Sequence, residues 1–224
     1  MAYTLAFDVY GTLINTSGVY NSLEKMLGEK ATVVMDTWRA KQLEYSFRRG
    51  LMNAYVDFSI VTKEALEYAC LAHKVQLTDT QRDALLNEYT TLPVFPDVLS
   101  GLQALKHDGH QLFAFSNGSE KAIVQLLGNA NILHLFQGAV SVEELKTFKP
   151  NPEVYAYFNE RAHTNKSASW LISSNPFDVL GAMNYGMRSA WVQRSPEVVF
   201  DPWGMQPTTL ISKLTELPQK LRDA

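Results

Sequence analysis

Residues 1–13 read MAYTLAFDVYGTL, an apolar run that ends in an acid and then turns through a glycine. A membrane span needs about 20 apolar residues, so this shorter run predicts a first strand, Tyr3–Asp8. It shows no basic start and no cleavage-site pattern of a secretory signal. An acid at a strand end, aimed into a turn, can serve as a nucleophile. It can equally cap the turn, and Asp8 alone does not decide between the two.

Working outward, Gln111–Ser116, Ala139–Val142, Trp170–Ser173 and Ala190–Gln193 also read as short apolar strands. They alternate with longer periodic runs, the pattern of an α/β protein with a Rossmann-like parallel sheet. In such a sheet the carboxyl ends of the strands form the site. The strands ending at Asp8, Ser116 and Ser173 therefore place polar groups where chemistry is expected. The chain between the first two strands is far longer than one crossover helix needs. Residues 16–91 read as almost wholly helical and contain no proline, so they predict an inserted helical cap. Pro93 and Pro96 then break the pattern and return the chain to the core. The expected division is 1–15 plus 92–224 for the core and 16–91 for the cap. The tail after Phe200 reads as a loop and a last helix.

Composition narrows the function classes. The 224 residues are 46% hydrophobic and 19% charged, with 20 basic and 23 acidic side chains for a net charge of −3. That balance argues against a nucleic-acid footprint and a polybasic membrane anchor. The single cysteine, Cys70, permits no internal disulfide and no site built from several thiolates. It sits in the helical stretch EALEYACLAHKV and reads as a buried, inert thiol. His73, His107, His110, His134 and His163 show no metal-like spacing. A soluble cytoplasmic protein without a metal or cofactor is the expectation.

Three further motifs follow strands or precede helices. Ser116-Asn117-Gly118-Ser119 closes the second strand, and a helix starting at Ser119 would offer backbone N–H groups to an anion. The same residues would also make an ordinary N-capped turn. Lys149 and Tyr155 lie in KTFKPNPEVY, where a surface lysine and a core aromatic are equally consistent. Ser173-Ser174-Asn175-Pro176-Phe177-Asp178 sets hydroxyl, amide and carboxylate at one strand end, although Asp178 could simply complement a helix dipole.

Taken in chain order, these motifs resemble the haloacid dehalogenase superfamily: an Asp nucleophile, then Ser/Thr, then Lys, then a terminal acidic motif. The resemblance covers nearly the whole chain. Phosphatase members carry a second acid two residues after the nucleophile; here that residue is Tyr10, with an ordinary phenol pKa of about 10. FDVYGTL is instead similar to the motif of the L-2-haloacid dehalogenases (type II), which are metal-independent. Residues 38–45, WRAKQLEY, resemble that family's WRxKQLEY segment, and RRGLMNAYVDF continues the match. SSNPFD resembles its SSNAWD. Two departures stand out: Ala40 replaces a glutamine beside Arg39, and Pro176-Phe177 replaces Ala-Trp, both expected at the pocket wall.

The resemblance implies a reaction. Asp8 attacks C2 of a 2-haloacid and displaces halide, which leaves unprotonated and needs no general acid. The substrate carboxylate lies near Ser116, and Arg39 with Asn117 receives the halide. Arg39 and Leu43 are i,i+4 neighbours. Tyr10, Leu43, Phe58 and Phe177 complete a dry pocket. Asp178, set by Lys149, Ser173 and Asn175, activates water against the ester on Asp8. Thr12 and Tyr155 orient their neighbours, Tyr155 toward Lys149. The product is an (R)-2-hydroxy acid from an (S)-2-haloacid, and family members are commonly homodimers. A phosphatase of the same superfamily and a carboxylic-acid-binding protein without turnover are the competing readings.

Overall fold

The computed structural model describes residues 2–223. Six strands form one parallel sheet: β1 (Thr4–Phe7), β2 (Gln111–Ser116), β3 (Gly138–Ser141), β4 (Ser169–Ser173), β5 (Arg188–Val192) and β6 (Thr209–Ile211). Their spatial order is β3-β2-β1-β4-β5-β6. β1 lies between β2 and β4, with Phe7 opposite Ala114 on one side and Ile172 on the other. The strand order reverses at β1, so its carboxyl end opens onto the crevice where α/β proteins bind ligands.

Every residue of β1 and β4 is buried, as expected for strands covered on both faces. The alternation of the strand sorts them. Leu5, Phe7, Trp170 and Ile172 join one apolar cluster, while Ala6 and Leu171 join another with Phe115, Tyr155 and Phe158. Full burial of one such side chain contributes about 1.5–3 kcal/mol. Between β1 and β2 run α1 (Ser17–Leu27), α2 (Ala31–Leu51), α3 (Phe58–Ala72), α4 (Asp79–Glu88) and α5 (Val98–His107). The first cluster extends from the sheet into this helical stretch through Val19, Leu23, Trp38 and Leu66. Trp38 Nε1 donates to the Thr62 carbonyl at 2.8 Å and ties α2 to α3.

Helices α6 (Glu120–Asn129), α7 (Pro152–Arg161), α8 (Pro176–Tyr185) and α9 (Leu217–Arg222) complete the chain. Ser119 caps α6 through the Ala122 N–H, and Pro152 and Pro176 occupy first turns, where proline fits. The expected strands at Ala139–Val142 and Ala190–Gln193 lie one and two residues earlier in the structure. The tail differs more. Thr209–Ile211 is a sixth strand, pairing Ala190 with Thr209. Of its three residues only Ile211 is buried, so it shows no run of apolar residues to mark it. Among the described residues no helix is long and apolar enough to cross a membrane.

Candidate active site

The turn after β1 sets Asp8. Gly11 adopts φ +80°, a left-handed conformation that glycine takes at little cost. The Leu13 and Ile14 N–H groups fold back onto the Val9 carbonyl. This brings buried Thr12 beneath the acid, where its hydroxyl donates to Asp8 Oδ2 at 2.7 Å. Asn175, after β4, donates to the same oxygen at 2.8 Å. Lys149 Nζ reaches Asp8 Oδ1 at 3.3 Å.

Lys149 also donates to Asp178 Oδ2 at 2.8 Å and to the Phe115 carbonyl at 2.9 Å. The Tyr155 hydroxyl donates to Asp178 Oδ1 at 2.8 Å. The expected contact of Tyr155 with Lys149 is thus replaced by one with Asp178. Lys149 and Tyr155 each donate to a different oxygen of the same carboxylate. Close helix packing allows it, because a Cβ on Gly181 would collide with the Tyr155 hydroxyl and Pro150. Burial raises the Asp178 carboxyl above the usual aspartate range. Lys149 pulls it back, and the charge of Asp8 adds to the rise. The Tyr155 hydroxyl is pushed well above 10 by burial and by Asp178.

Ser173 and Asn175 were expected beside Asp178. Instead, the Ser173 hydroxyl accepts from the Asn175 N–H at 3.1 Å, which fixes the turn. The Asn175 carboxamide then links two other groups. Its nitrogen serves Asp8, and its oxygen accepts from Arg39 Nη2 at 3.1 Å. Arg39 Nη1 donates to Gln42 Oε1 at 2.7 Å. Burial lowers the Arg39 pKa, opposed by Tyr89 and Asp8.

A cavity of about 600 Å³ opens from this point, lined by Tyr10, Arg39, Gln42, Phe58, Tyr89 and Asn175 among others. Burial, then Tyr89, pushes the Tyr10 hydroxyl up to about 12. Gly118 and Ser119 line the cavity, whereas Ser116 and Asn117 are set behind them. Ser116 Oγ accepts from the Gly118 N–H at 3.1 Å, and Asn117 Oδ1 accepts from the Lys149 N–H at 2.9 Å. Leu43 and Phe177 do not line the cavity. Met35, Arg39 and Gln42 are the residues of α2 that line it, at helical spacing. Phe177 packs edge-on against Phe47 at 5.2 Å. Ala40 is exposed, so its replacement does not reach the pocket wall.

Two participants escaped the sequence reading. Gln42 was visible only as part of WRAKQLEY, three residues from Arg39. Arg194 donates twice to the Thr12 carbonyl, at 3.2 and 2.6 Å, and pairs with both Asp97 oxygens at 2.8 Å. Nothing local to residue 194 announces this contact.

A divalent cation does not fit this donor set. Asp8 Oδ2 and the Tyr10 carbonyl are the oxygens that could share one, and both face the Asn175 amide nitrogen, at 2.8 and 3.5 Å. Among the described residues no group of three or more His, Cys, Asp or Glu is placed to hold a metal.

The chain matches the model of the haloacid dehalogenase-like hydrolases over residues 5–192. It is 37% identical over 220 residues to (S)-2-haloacid dehalogenase 2 of Pseudomonas sp. (strain CBS-3), covering 98% of this chain and 96% of that one. It is 34% identical over 203 residues to haloacetate dehalogenase H-2 of Moraxella sp. (strain B), covering 91% and 90%. The structure of L-2-haloacid dehalogenase from Xanthobacter autotrophicus with chloropropionic acid covalently bound superposes with a TM-score of 0.89, at 28% identity and 99% coverage of both chains. Sequence and structure match along nearly the full length, and the chain belongs to the haloacid dehalogenase-like hydrolase family.

Proposed function

We propose that this chain is an (S)-2-haloacid dehalogenase, hydrolysing short 2-haloalkanoic acids to (R)-2-hydroxy acids through an ester on Asp8. One observation carries the reading. A single carboxamide, Asn175, touches both the Asp8 carboxylate and the Arg39 guanidinium. A nucleophile and an anion-receiving cation are thus joined through one side chain that lines the cavity, and residue 10 is no acid. Halide leaves as an anion and needs none. A phosphoryl-transfer reading would ask residue 10 for a proton, and the Tyr10 hydroxyl, pushed up to about 12, stays protonated at neutral pH.

In this reading residues 1–15 and 92–224 are the catalytic core and 16–91 the cap. The substrate carboxylate is held by the turn after β2, where Gly118 and Ser119 open α6 toward the cavity. Asp8 is the nucleophile. One of its oxygens attacks C2, and the carbon–halogen bond breaks with its electron pair on the halide. Configuration at C2 inverts, and halide meets Arg39, a cation at every working pH. Thr12 and Asn175 hold the carboxylate in line. Water then adds to the Asp8 side-chain carbonyl carbon and gives its proton to Asp178, which Lys149 and Tyr155 hold in place. The tetrahedral adduct collapses, the alcohol takes that proton, and the second proton of water leaves to solvent, which restores the Asp8 carboxylate carrying the oxygen of water. No metal or cofactor enters any step.

A cytoplasmic setting fits the buried free thiol of Cys70. A homodimer fits the exposure of Leu51 and Met52 at the end of α2 and of Leu71 on α3. The test of function is halide release from (S)- and (R)-2-chloropropionate in EDTA, beside Asp8→Asn. Release from the (S) form alone, yielding (R)-lactate and lost in the variant, is expected. Failure across a panel of 2-haloacids would overturn the reading.

A further inference from the structure

Gln42 is a buried polar side chain between two helices, with both ends of its carboxamide bonded. Its oxygen accepts from Arg39 Nη1 at 2.7 Å, and its nitrogen donates to Thr62 Oγ1 at 2.7 Å. The Thr62 hydroxyl donates its one proton to the Phe58 carbonyl at 2.8 Å. Thr62 can therefore only accept from Gln42, and this sets which way the carboxamide points. A flipped carboxamide would turn N–H toward the N–H of Arg39, two donors face to face. Trp38 Nε1, bonded to the Thr62 carbonyl, holds the α3 turn that ends this relay. Donation thus runs in one direction, from Arg39 through Gln42 and Thr62 to the Phe58 carbonyl of α3. Arg39 also donates through Asn175 to Asp8.

We propose that Gln42 is a positioning residue of the halide-receiving site, oriented by Thr62, which fixes the Arg39 guanidinium over Asn175. The proposal rests on the dehalogenase reading above. A long arginine side chain has many rotamers, and two anchors at separate nitrogens select one. With two of its five N–H groups engaged, the guanidinium keeps others for the departing anion. Displacements of about 1 Å at a reacting centre cost up to roughly a hundredfold in rate, so loss of one anchor is felt in the step where halide leaves. It is felt most for chloride, the poorer leaving group.

The test compares single-turnover halide release from (S)-2-chloropropionate and (S)-2-bromopropionate, with chloride inhibition and thermal melting measured alongside. Gln42→Met keeps length and removes both hydrogen bonds. It is expected to slow chloride release roughly ten- to a hundredfold, slow bromide release less, and weaken chloride inhibition, with KM little changed. Thr62→Val, which removes the acceptor for Gln42 and the donor to the Phe58 carbonyl but leaves the Gln42–Arg39 bond, should move the same readouts in the same direction by less. Thr62→Ser, which keeps the hydroxyl, should restore them. A merely structural glutamine would lower the melting temperature and leave the chloride-to-bromide ratio and chloride inhibition where they were. That result overturns the proposal. If Gln42→Met does not fold, the Thr62→Val and Thr62→Ser pair decides by the same ratio. Wild-type protein releasing no halide from either acid would instead overturn the dehalogenase reading, and this proposal with it.

Discussion

Lys149 Nζ lies 2.8 Å from the Asp178 carboxylate, and both side chains are almost wholly withdrawn from water. The same ammonium reaches Asp8 at 3.3 Å and faces the Phe115 ring at 4.1 Å. The Lys149 ammonium stands between the carboxyl groups of Asp8 and Asp178. Asp178 bears the consequence: burial and Asp8 raise its carboxyl more than Lys149 lowers it. A carboxylate made more basic in this way suits removal of a proton from water.

Asp178→Asn is accordingly expected to form the Asp8 ester and then stall. Rapid-quench measurement should show a burst of about one halide per site and little steady-state turnover, the kinetic mark of a covalent intermediate. In the wild type, a raised carboxyl takes up its proton sooner as pH falls. The steady-state rate should therefore decline at a pH above the roughly 3.9 of an ordinary aspartate, and Asp178→Asn should lack this limb.

Lys149→Met removes the cation and leaves two buried carboxylates facing each other. Breaking a buried pair costs about 3–5 kcal/mol. For a carboxyl whose folded pKa is raised, the stabilising contribution is present below its unfolded value and is lost as pH rises through the folded one. The deficit relative to wild type should be smaller near about pH 5 than near about pH 8. Denaturant melts at the two values check both size and direction.

Arg39→Ala should lower single-turnover halide release by about a hundred- to a thousandfold, the range for loss of one anion-stabilising donor. Circular dichroism should show the fold retained. Arg39→Lys should recover little, because a single ammonium cannot reproduce the fork that spans Gln42 and Asn175.

Arg194 acts at a distance from the cavity. It braces the Thr12 carbonyl, rests on Phe95 at 4.2 Å and pairs with Asp97. Arg194→Leu should cost about 2 kcal/mol of stability and slow halide release by loosening Thr12 under Asp8. Burial alone would raise the Asp97 carboxyl; Arg194 and the Leu214 N–H outweigh it and hold the carboxyl below its usual range. A depressed carboxyl stabilises above its unfolded pKa and loses that contribution as pH falls through the folded one. Acid unfolding followed by circular dichroism should therefore begin at higher pH in the variant.

What could be read from the chain follows from how local each signal is. Asp8, Ser116 and Ser173 were legible because each ends a wholly apolar run, and Ser119 because a capping serine precedes an acidic first turn. The helical stretch was legible from its lack of proline and its length between strands. β6 was not, because three residues with a single buried side chain carry no period. The choice between Leu43 and Gln42 as neighbour to the cavity depends on the rotation of α2 against the sheet, which packing at Trp38 sets. Tyr155 meeting Asp178, and Arg194 meeting Thr12 across 182 positions, are long-range contacts that no spacing reveals.

The central claim is that Asp8 forms an ester opened at its own carbonyl carbon. It is tested most directly by a single turnover in H₂¹⁸O, with enzyme in excess over (S)-2-chloropropionate. The account predicts lactate without ¹⁸O and one ¹⁸O in the peptide bearing Asp8, read by mass spectrometry. Lactate carrying ¹⁸O from the first turnover, with the Asp8 peptide unlabelled, would mean that water attacks C2 directly and would contradict it.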